Sequence, residues 1–125
     1  MPSYVVTIPD FLPTSVNDLM RMHWAPRNKR VKSEAELIAV YVKQAGVSVA
    51  STKRRVAPTF SAPGGRASKT GDQDNRMKSL LDALVKCGVI VDDSPKWCDL
   101  VAAVCLRGPK ATVILITDLD EESSS

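Results

Sequence analysis

The sequence predicts one domain of the α/β class, α+β in type, in which two main helices pack on a small mixed β-sheet. Short β-rich runs stand near both ends of the chain, and two stretches with apolar residues at helical spacing lie between them. The 125 residues are enough for one hydrophobic core, and 44% apolar and 25% charged residues are ordinary for a globular domain. We place this domain at residues 1–118 and predict that the acidic residues 119–125 form a disordered tail.

The first part of the chain is predicted to hold one strand and one short helix. Residues 3–8, SYVVTI, are rich in β-branched side chains, and Pro9 ends the run. Ser15 or Asn17 is a suitable N-cap for a short helix through DLMRMHW. The following residues, PRNKRVK at 26–32, are predicted to form a basic loop.

The first main helix is predicted to begin at Ser33, because Glu36 stands three residues later and completes a capping box. The helix is expected to end near Gly46. Five residues at helical spacing are predicted to face the core: Ala35, Leu37, Ile38, Tyr41 and Val42.

The second main helix has the clearer pattern. From Asp74 onward, apolar residues follow the i, i+3, i+4, i+7, i+8 spacing, and Gly88 provides a C-terminal stop. The apolar stripe comprises Met77, Leu80, Leu81, Leu84 and Val85. Such a helix buries this stripe and leaves its other side polar.

Three further segments are predicted to be strands. Residues 53–62 are interpreted as an irregular or edge strand, because Pro58 lacks the N–H that a central ladder needs. Residues 100–106 and 111–117 are predicted to be two strands joined by a turn at Gly108–Pro109. The last strand, ATVILIT, has too many consecutive apolar residues for a half-exposed strand, so we place it at the centre of the sheet.

Composition argues against several classes of protein. No apolar run reaches the roughly 18 residues that a membrane-spanning helix needs, and the N-terminus lacks the basic start and cleavage-like site of a secretory signal. The three cysteines are Cys87, Cys98 and Cys105; their number is odd and no C-x-x-C spacing occurs. This pattern argues against a zinc site or a disulfide framework and predicts a reducing, cytoplasmic environment.

Charge is distributed unevenly along the chain. Residues 21–78 hold 13 basic and 4 acidic side chains, a net +9, whereas the rest of the chain holds 4 basic and 10 acidic, a net −6. Such a separation suits a protein that grips a polyanion at one place and acts on it at another. The alternative is that the basic side chains simply solvate the surface.

The segment 71–93, GDQDNRMKSLLDALVKCGVIVDD, carries five of the fourteen acidic residues. Asp72 and Asp74 flank the start of the predicted helix. Spacing by four places Asp74, Lys78 and Asp82 on one polar stripe of that helix.

The remaining two acids of this segment, Asp92 and Asp93, follow the helix. For Asp93 to reach Asp74, the chain must turn back at Gly88 and run alongside the helix, which GVIV permits. Carboxylates brought together repel one another, and a hard divalent cation such as Mg²⁺ removes that cost. A bound Mg²⁺ activates water and stabilises the negative charge of phosphodiester hydrolysis, to which Lys78 would contribute.

The same residues also have a purely structural interpretation. Asp74 is a suitable N-cap, and Asp72 is a favourable charge beside the positive end of the helix dipole. Lys78 and Asp82 are spaced for a surface ion pair worth only about 0.3–0.5 kcal/mol. Asp92–Asp93 then form a solvated turn, and the D-x-D pattern by itself does not separate the two interpretations.

The combined spacing resembles the RusA family of Holliday-junction resolvases. The motif D-x-D-N-x-x-K stands at 72–78, D-A-L at 82–84 and G-x-x-x-D-D at 88–93. A looser similarity extends to LPTSVN at 12–17 and to the order of the closing strands. The chain departs from close relatives before the first aspartate, where a run of arginines is common and only Arg66 and Lys69 are present here.

The resemblance implies a small homodimeric endonuclease of mixed α/β fold that binds four-way DNA junctions and nicks two opposing strands with Mg²⁺, for which Mn²⁺ can substitute. Carried over position by position, Asp72, Asp74 and Asp93 would hold the metal, and Lys78 would be the essential lysine. These four residues are the candidate catalytic set. Asp92 is a secondary candidate, because neighbouring side chains in an extended segment point in opposite directions.

The candidate DNA-binding residues are basic side chains that would contact phosphates. They are Arg27, Lys29, Arg30, Lys53, Arg54, Arg55, Arg66, Lys69 and Arg76. Trp24 is a candidate for stacking on an unpaired base, although such a tryptophan is more often partly buried at a helix end. His23, the only histidine, is a candidate general base that a Mg²⁺ nuclease does not need, and Trp97 is expected in the core.

The resulting expectation is a Mg²⁺-dependent, structure-selective DNA endonuclease that resolves Holliday junctions in recombination and repair, in the cytoplasm of a bacterial cell. A phage or prophage origin stays open. The alternatives are a non-catalytic protein that binds branched DNA and a metal-dependent nuclease that acts on forks or flaps. Neither a membrane partner nor a small-molecule cofactor is expected.

Overall fold

The computed structural model describes residues 3–14, 16–63 and 72–119, without the side chains of residues 16, 17 and 72–75. These residues form a mixed α+β fold with three helices and a five-stranded mixed sheet, which confirms the predicted class. In chain order the elements are β1 (Ser3–Pro9), α1 (Val16–Arg21), α2 (Trp24–Gln44), β2 (Arg54–Ala62), α3 (Asp72–Lys86), β3 (Cys98–Leu100), β4 (Val104–Arg107) and β5 (Ala111–Asp118).

β5 is a central strand of the sheet, as predicted. It pairs antiparallel with β1 on one side and with β2 on the other. β3 and β4 run parallel to β2 along its far side, one after the other. The single strand predicted over 100–106 is therefore two short strands, and the turn at Gly108–Pro109 joins β4 to β5 across the intervening β2.

The prediction of an edge strand over 53–62 is wrong, because β2 has partners on both sides. The Val56 carbonyl accepts the N–H of Val101 at 2.9 Å, so the even-numbered residues of β2 direct their backbone groups toward β3 and β4. Pro58 is one of these residues and lies between the stretch paired with β3 and the stretch paired with β4. Its missing N–H therefore removes no ladder hydrogen bond, and a central strand accepts the proline.

The first main helix, α2, begins at Trp24 and includes the residues predicted as a basic loop. Pro26 lies in the first turn, where a helix needs no backbone donor and where the fixed φ of proline is favourable. Ser33 and Glu36 are both inside the helix, so the predicted capping box is wrong.

The helices cover one face of the sheet. The stripe predicted for α3 is confirmed, with Met77, Leu80, Leu81 and Leu84 buried and Val85 packed against the core. In α2, Ile38 and Val42 are buried as predicted, and Ala35 and Tyr41 pack partly against the core. Leu37 is exposed instead, because it lies about 100° around the helix from Ile38.

The two ends of the sheet position the candidate site, and we name them after β2. At the Arg54 end β2 begins and β5 ends; at the Ala62 end β1 and β2 both end. Arg76 Nη1 donates to the Pro13 carbonyl at 2.7 Å, which ties the early turns of α3 to the segment that follows β1 at the Ala62 end. α3 then runs back toward the Arg54 end.

Gly88 ends α3, as predicted. Its φ of +78° lies in the left-handed region that suits glycine, and the N–H of Val89 bonds back to the Leu84 carbonyl at 2.9 Å. The Gly88 carbonyl accepts the N–H of Ala50 at 2.8 Å. This bond holds the helix end beside the loop that leads into β2.

All three cysteines are free, with Cys98 buried and the other two half-buried. In the ranges that the structure covers, no helix is long and apolar enough to cross a membrane. Leu119, the first residue of the predicted tail, donates its N–H to the Lys53 carbonyl at 3.0 Å. Residues 120–125, and with them most of the tail, lie outside the described residues.

Candidate active site and nucleic-acid interface

The first pair of candidate metal ligands opens α3. Asp72 is the first residue of the helix and Asp74 lies in the same turn; their side chains are outside the described part. Lys78 is one turn beyond Asp74 and is exposed, as is Asp82 one turn further. Among the described side chains, neither Lys78 nor Asp82 forms an ion pair. The Lys78–Asp82 surface pair, which the sequence offered as the alternative to a catalytic role, is therefore not formed.

Asp92 and Asp93 are exposed, and they lie at the Arg54 end of the sheet. The Ser94 carbonyl accepts the N–H of Cys98 at 2.9 Å, which makes a compact turn directly before β3. Cys98 stands opposite Arg54 in the sheet, and at the other end of this loop the Val89 carbonyl accepts a hydrogen bond from Arg54 Nη1 at 2.9 Å. Both ends of the loop that carries the two aspartates are therefore held near the C-terminal end of α3.

Electrostatics at Cys98 places Asp93 in the same region. Burial, together with the nearby carboxylates of Asp99 and Asp93, raises the pKa of Cys98 to about 11, and Lys53 acts in the opposite direction. Asp93 is thus close enough to the thiol at the start of β3 to disfavour its ionisation.

The chain does not begin a return alongside α3 directly after Gly88. The chain turns at Gly88, but Val89 and Ile90 are buried directly after the helix, and Asp93 follows Ile90 by only three positions. From Asp74 to the last residue of α3 the helix rises about 18 Å, at about 1.5 Å per residue. Within one chain, this arrangement favours a position of Asp93 near the C-terminal end of α3.

Within the described side chains, no three His, Cys, Asp or Glu residues lie close enough to hold a metal ion. The side chains of Asp72 and Asp74 are outside that set. The two described candidates, Asp92 and Asp93, do not form a metal site with other described acids.

The first group of predicted DNA-binding residues lies on α2. Lys29, Arg30 and Lys32 are exposed on this helix, and Arg27 is half-buried with its Nη1 3.8 Å from Met20 Sδ. Because these residues occupy a helix instead of a loop, their spacing is rigid. They make the first half of α2 strongly cationic.

Arg54 is not part of an accessible basic surface. It is 2% exposed, and its Nε donates to Asp118 Oδ1 at 2.5 Å. Its Nη1 donates to the carbonyls of Ser48 and Val89 at 2.7 and 2.9 Å, and the Tyr4 ring centroid lies 5.5 Å from its Cζ. The structure therefore removes Arg54 from the predicted DNA-binding set and gives it a role in the core.

Its neighbours at the start of β2 differ, because alternate residues of a strand face opposite sides. Arg55 is exposed and its Nε donates to Asp99 Oδ2 at 2.8 Å. Lys53 is half-buried at the same end of the sheet. Position 54 shares its face with Val56, and this alternation is the signal in the sequence that distinguishes Arg54 from Arg55.

The remaining predicted contacts lie near the start of α3. Arg76 is half-buried, bonded to the Pro13 carbonyl, and its Nε is buried without a hydrogen-bond partner in the described part of the chain. Arg66 and Lys69 lie outside the described residues.

A cavity that the sequence did not indicate lies between the three helices. It has a volume of about 440 Å³ and is mostly apolar, with Arg27, Glu34 and Asp82 among its lining residues. Glu34 accepts from the Thr14 N–H and hydroxyl at 2.9 and 2.5 Å, so its carboxylate is already engaged. Because the cavity forms only where α1 packs against α2 and α3, no local pattern predicts it.

The aromatic candidates occupy different surroundings. Trp24 begins α2 and is 62% exposed, and the His23 ring centroid lies 6.0 Å from that of Trp24. Trp97 is half-buried instead of sitting in the core, with the Lys96 ammonium 5.4 Å from its ring centroid. Trp24 is thus the tryptophan that an external partner can reach more readily.

Two comparisons, with family models and with curated proteins, found no match. Membership of the RusA family is therefore not shown, and the resemblance stays with the motif residues.

Proposed function

We propose that this protein is a Mg²⁺-dependent endonuclease that acts as a homodimer and nicks opposing strands of four-way DNA junctions. The observation that carries the proposal is the start of α3, where Asp72 and Asp74 share the first turn and the exposed Lys78 follows one turn later. Two carboxylates and an ammonium are thereby placed on one rigid element. The similarity of this motif and of the later D-D pair to the RusA family supports the same chemistry.

The donor set of this site fits a hard cation. Asp72 and Asp74 offer only carboxylate oxygens, the ligands that Mg²⁺ and Mn²⁺ prefer. His23, the only histidine, lies at the corner between α1 and α2, and the Cys98 thiol is buried. When bound, the ion supplies an activated water and neutralises charge at the scissile phosphate.

Lys78 is placed to act on the substrate itself. Its ammonium is exposed on the same helix as the two aspartates and carries no competing ion pair in the described part of the structure. It would stabilise the negative charge that develops on the phosphoryl oxygens as the water attacks in line. Cleavage would leave a 5′-phosphate and a 3′-hydroxyl.

In this proposal Asp93 comes to the site from a second copy of the chain, because its loop is held near the C-terminal end of α3 and the site lies at the start of that helix. In a two-fold dimer, Asp93 of one protomer would complete the site that opens α3 of the other, and two equivalent sites would result. A four-way junction also has two-fold symmetry, so two such sites can cut two opposing strands. The placement of Asp93 therefore supports the dimer, with Asp92 as a secondary ligand.

The exposed cations of α2 would grip the phosphate backbone. Lys29, Arg30 and Lys32 supply sequence-independent affinity, and Lys53 and Arg55 extend the basic set to the start of β2. Arg27 and Arg76 are half-buried and would orient neighbouring segments as well as contact DNA.

A cleavage assay tests the proposal. The protein is incubated with a four-way junction, a Y-fork and a linear duplex, in Mg²⁺ and in EDTA, beside Asp74→Asn, Lys78→Ala and the control Lys86→Ala. Lys86 is exposed on the last turn of the same helix, so its loss controls for a change in helix charge. We expect paired nicks in the junction that require Mg²⁺, Asp74 and Lys78 but not Lys86.

Two results would change the assignment. Junction binding without cleavage in either Mg²⁺ or Mn²⁺ would leave a non-catalytic protein that holds branched DNA. Preferential cleavage of the Y-fork would keep the chemistry and replace the substrate.

A further inference from the structure

We infer that Trp24, together with Met20, forms a contact for an unpaired base of branched DNA; this inference rests on the proposed binding of such DNA. Trp24 begins α2 and is 62% exposed, and Met20 in α1 is 67% exposed. Both residues lie near the corner where α1 leads into α2, since Met20 Sδ lies 3.8 Å from Nη1 of Arg27, which is one turn beyond Trp24. We call these two exposed apolar residues the α1–α2 tip.

The surroundings of the α1–α2 tip are cationic. Arg21 ends α1, and Arg27, Lys29 and Arg30 follow Trp24 on α2 before the first acid of that helix, Glu34. The Glu34 carboxylate accepts hydrogen bonds from Thr14, whose hydroxyl also accepts from Arg30 Nη1 at 3.3 Å, so its negative charge offsets only part of this positive charge, on the Thr14 side of α2. Asp18 is the acidic residue on α1, and it lies 4.0 Å from Arg21.

An exposed indole at the start of a cationic helix complements the chemistry of a nucleotide whose base is unstacked. The cations attract the phosphates, and the aromatic face offers a surface on which a base of any identity stacks. A linear duplex hides its base faces inside the stack, whereas single strands and branch points expose them. The α1–α2 tip therefore favours branched or single-stranded DNA over linear duplex.

The position of the α1–α2 tip fits a role beside the reacting strand. Met20 and Arg27 line the helical cavity that Ser79 and Asp82 of α3 also line, and Asp82 is one turn from Lys78. A base held at the tip would belong to a nucleotide close to the helix that carries the candidate catalytic lysine. Trp24 is thus assigned to substrate selection, and the carboxylates and Lys78 to the chemistry.

Fluorescence in EDTA tests this assignment without any cleavage. Trp97→Phe leaves Trp24 as the single tryptophan. With this variant we expect an oligothymidylate and a four-way junction to quench Trp24 emission, and a linear duplex at equal occupancy to leave it nearly unchanged. Vesicles of anionic phospholipid are measured in the same way, because a membrane surface is the other partner that would combine negative charge with an apolar layer.

Substitutions supply an independent readout. Trp24→Ala is expected to weaken binding of the oligothymidylate and the junction on the order of tenfold and to leave duplex affinity and the salt slope unchanged, because no charge is lost. Trp24→Phe keeps a stacking face and should retain most of the affinity. Val49→Ala removes a comparably exposed apolar side chain elsewhere and should have no effect.

The inference is overturned if bound oligothymidylate leaves Trp24 emission unchanged, if Trp24→Ala weakens duplex and junction binding equally, or if only the anionic vesicles change the emission. Its failure is distinct from failure of the proposed nuclease. A protein that binds junctions through Trp24 but never cuts them overturns the nuclease alone. If the Trp24→Ala variant binds and cuts junctions as well as the unsubstituted protein does, only the role of Trp24 is overturned.

Discussion

Arg54 and Asp118 form an ion pair, with 2.5 Å between Nε and Oδ1, where β2 begins and β5 ends. The arginine side chain is almost fully buried, and its remaining donors bond to the loop before β2 and to the Val89 carbonyl just after α3. This one side chain therefore joins the sheet to the end of the candidate catalytic helix. The adjacent Arg55–Asp99 pair lies at the surface and makes no such connection.

We predict that Arg54→Ala destabilises the protein far more than Arg55→Ala. Loss of Arg54 leaves buried carbonyls without a donor and Asp118 without its partner, which should cost about 3 kcal/mol of unfolding free energy. Loss of Arg55 removes an exposed pair and should cost less than about 1 kcal/mol. Urea denaturation of the two variants measures the difference, and equal losses would contradict the role given to Arg54.

Subunit complementation tests the placement of Asp93. Asp74→Asn and Asp93→Asn should each abolish cleavage while junction binding persists. If Asp93 acts in the site of the partner, a mixed dimer has one site with both substitutions and one intact site. After subunit exchange, an equal mixture should recover roughly a quarter of the active sites, seen as single instead of paired nicks.

The matched control for this experiment is a mixture of Asp72→Asn with Asp74→Asn. Both substitutions fall on the carboxylates that open α3, so every mixed dimer carries one defect in each site and should stay inactive. The contradicting result is a mixture of Asp74→Asn with Asp93→Asn that stays inactive although wild-type protein is active and subunit exchange is demonstrated. Asp74 and Asp93 would then act in the site of the same chain, or in separate roles.

The α2 cations should control the salt dependence of DNA binding. Lys29→Ala combined with Arg30→Ala is expected to lower the slope of log K against log salt by about one for each phosphate that the variant no longer neutralises. The control is Lys43→Ala combined with Lys86→Ala, which removes two exposed lysines from the last turns of α2 and α3. Fluorescence anisotropy of labelled junction at several salt concentrations gives both slopes; identical slopes would place the DNA elsewhere.

Cys98 should make stability fall at alkaline pH. Its pKa is raised from 9.0 to about 11 in the folded protein, chiefly by burial, so the thiol ionises first in the unfolded chain. The part of the unfolding free energy that comes from keeping this thiol neutral is fully present below pH 9 and is lost as the pH rises from 9 to 11. The loss attributable to this group should be about 2 kcal/mol.

The measurement is urea denaturation of wild type and Cys98→Ala across this alkaline range. The variant starts less stable because a buried side chain is shortened, so the slopes with pH are compared, not the absolute values. A wild-type slope that matches the slope of Cys98→Ala would refute the assignment to this thiol.

Local pattern was sufficient where neighbouring residues decide the structure. The apolar spacing of α3, its stop at Gly88 and the continuous apolar run of β5 all depend on side chains within a few residues, and these predictions were confirmed. The start of α2 was missed because Pro26 interrupts the pattern, although a first-turn proline is compatible with a helix. The prediction that β2 is an edge strand was wrong because a proline usually excludes a central position. Pro58 is accepted here because it lies in the gap between the stretches of β2 that pair with β3 and with β4.

The amino-acid sequence specifies which chemical groups the candidate site has and how those on one helix are spaced. Asp72, Asp74 and Lys78 keep their separation because the pitch of α3 is a local property. Tertiary packing governs where the other charged residues lie relative to them. It buried Arg54 against Asp118 and held Asp93 at the far end of α3, because the burial of Val89 and Ile90 directs the chain into the sheet there.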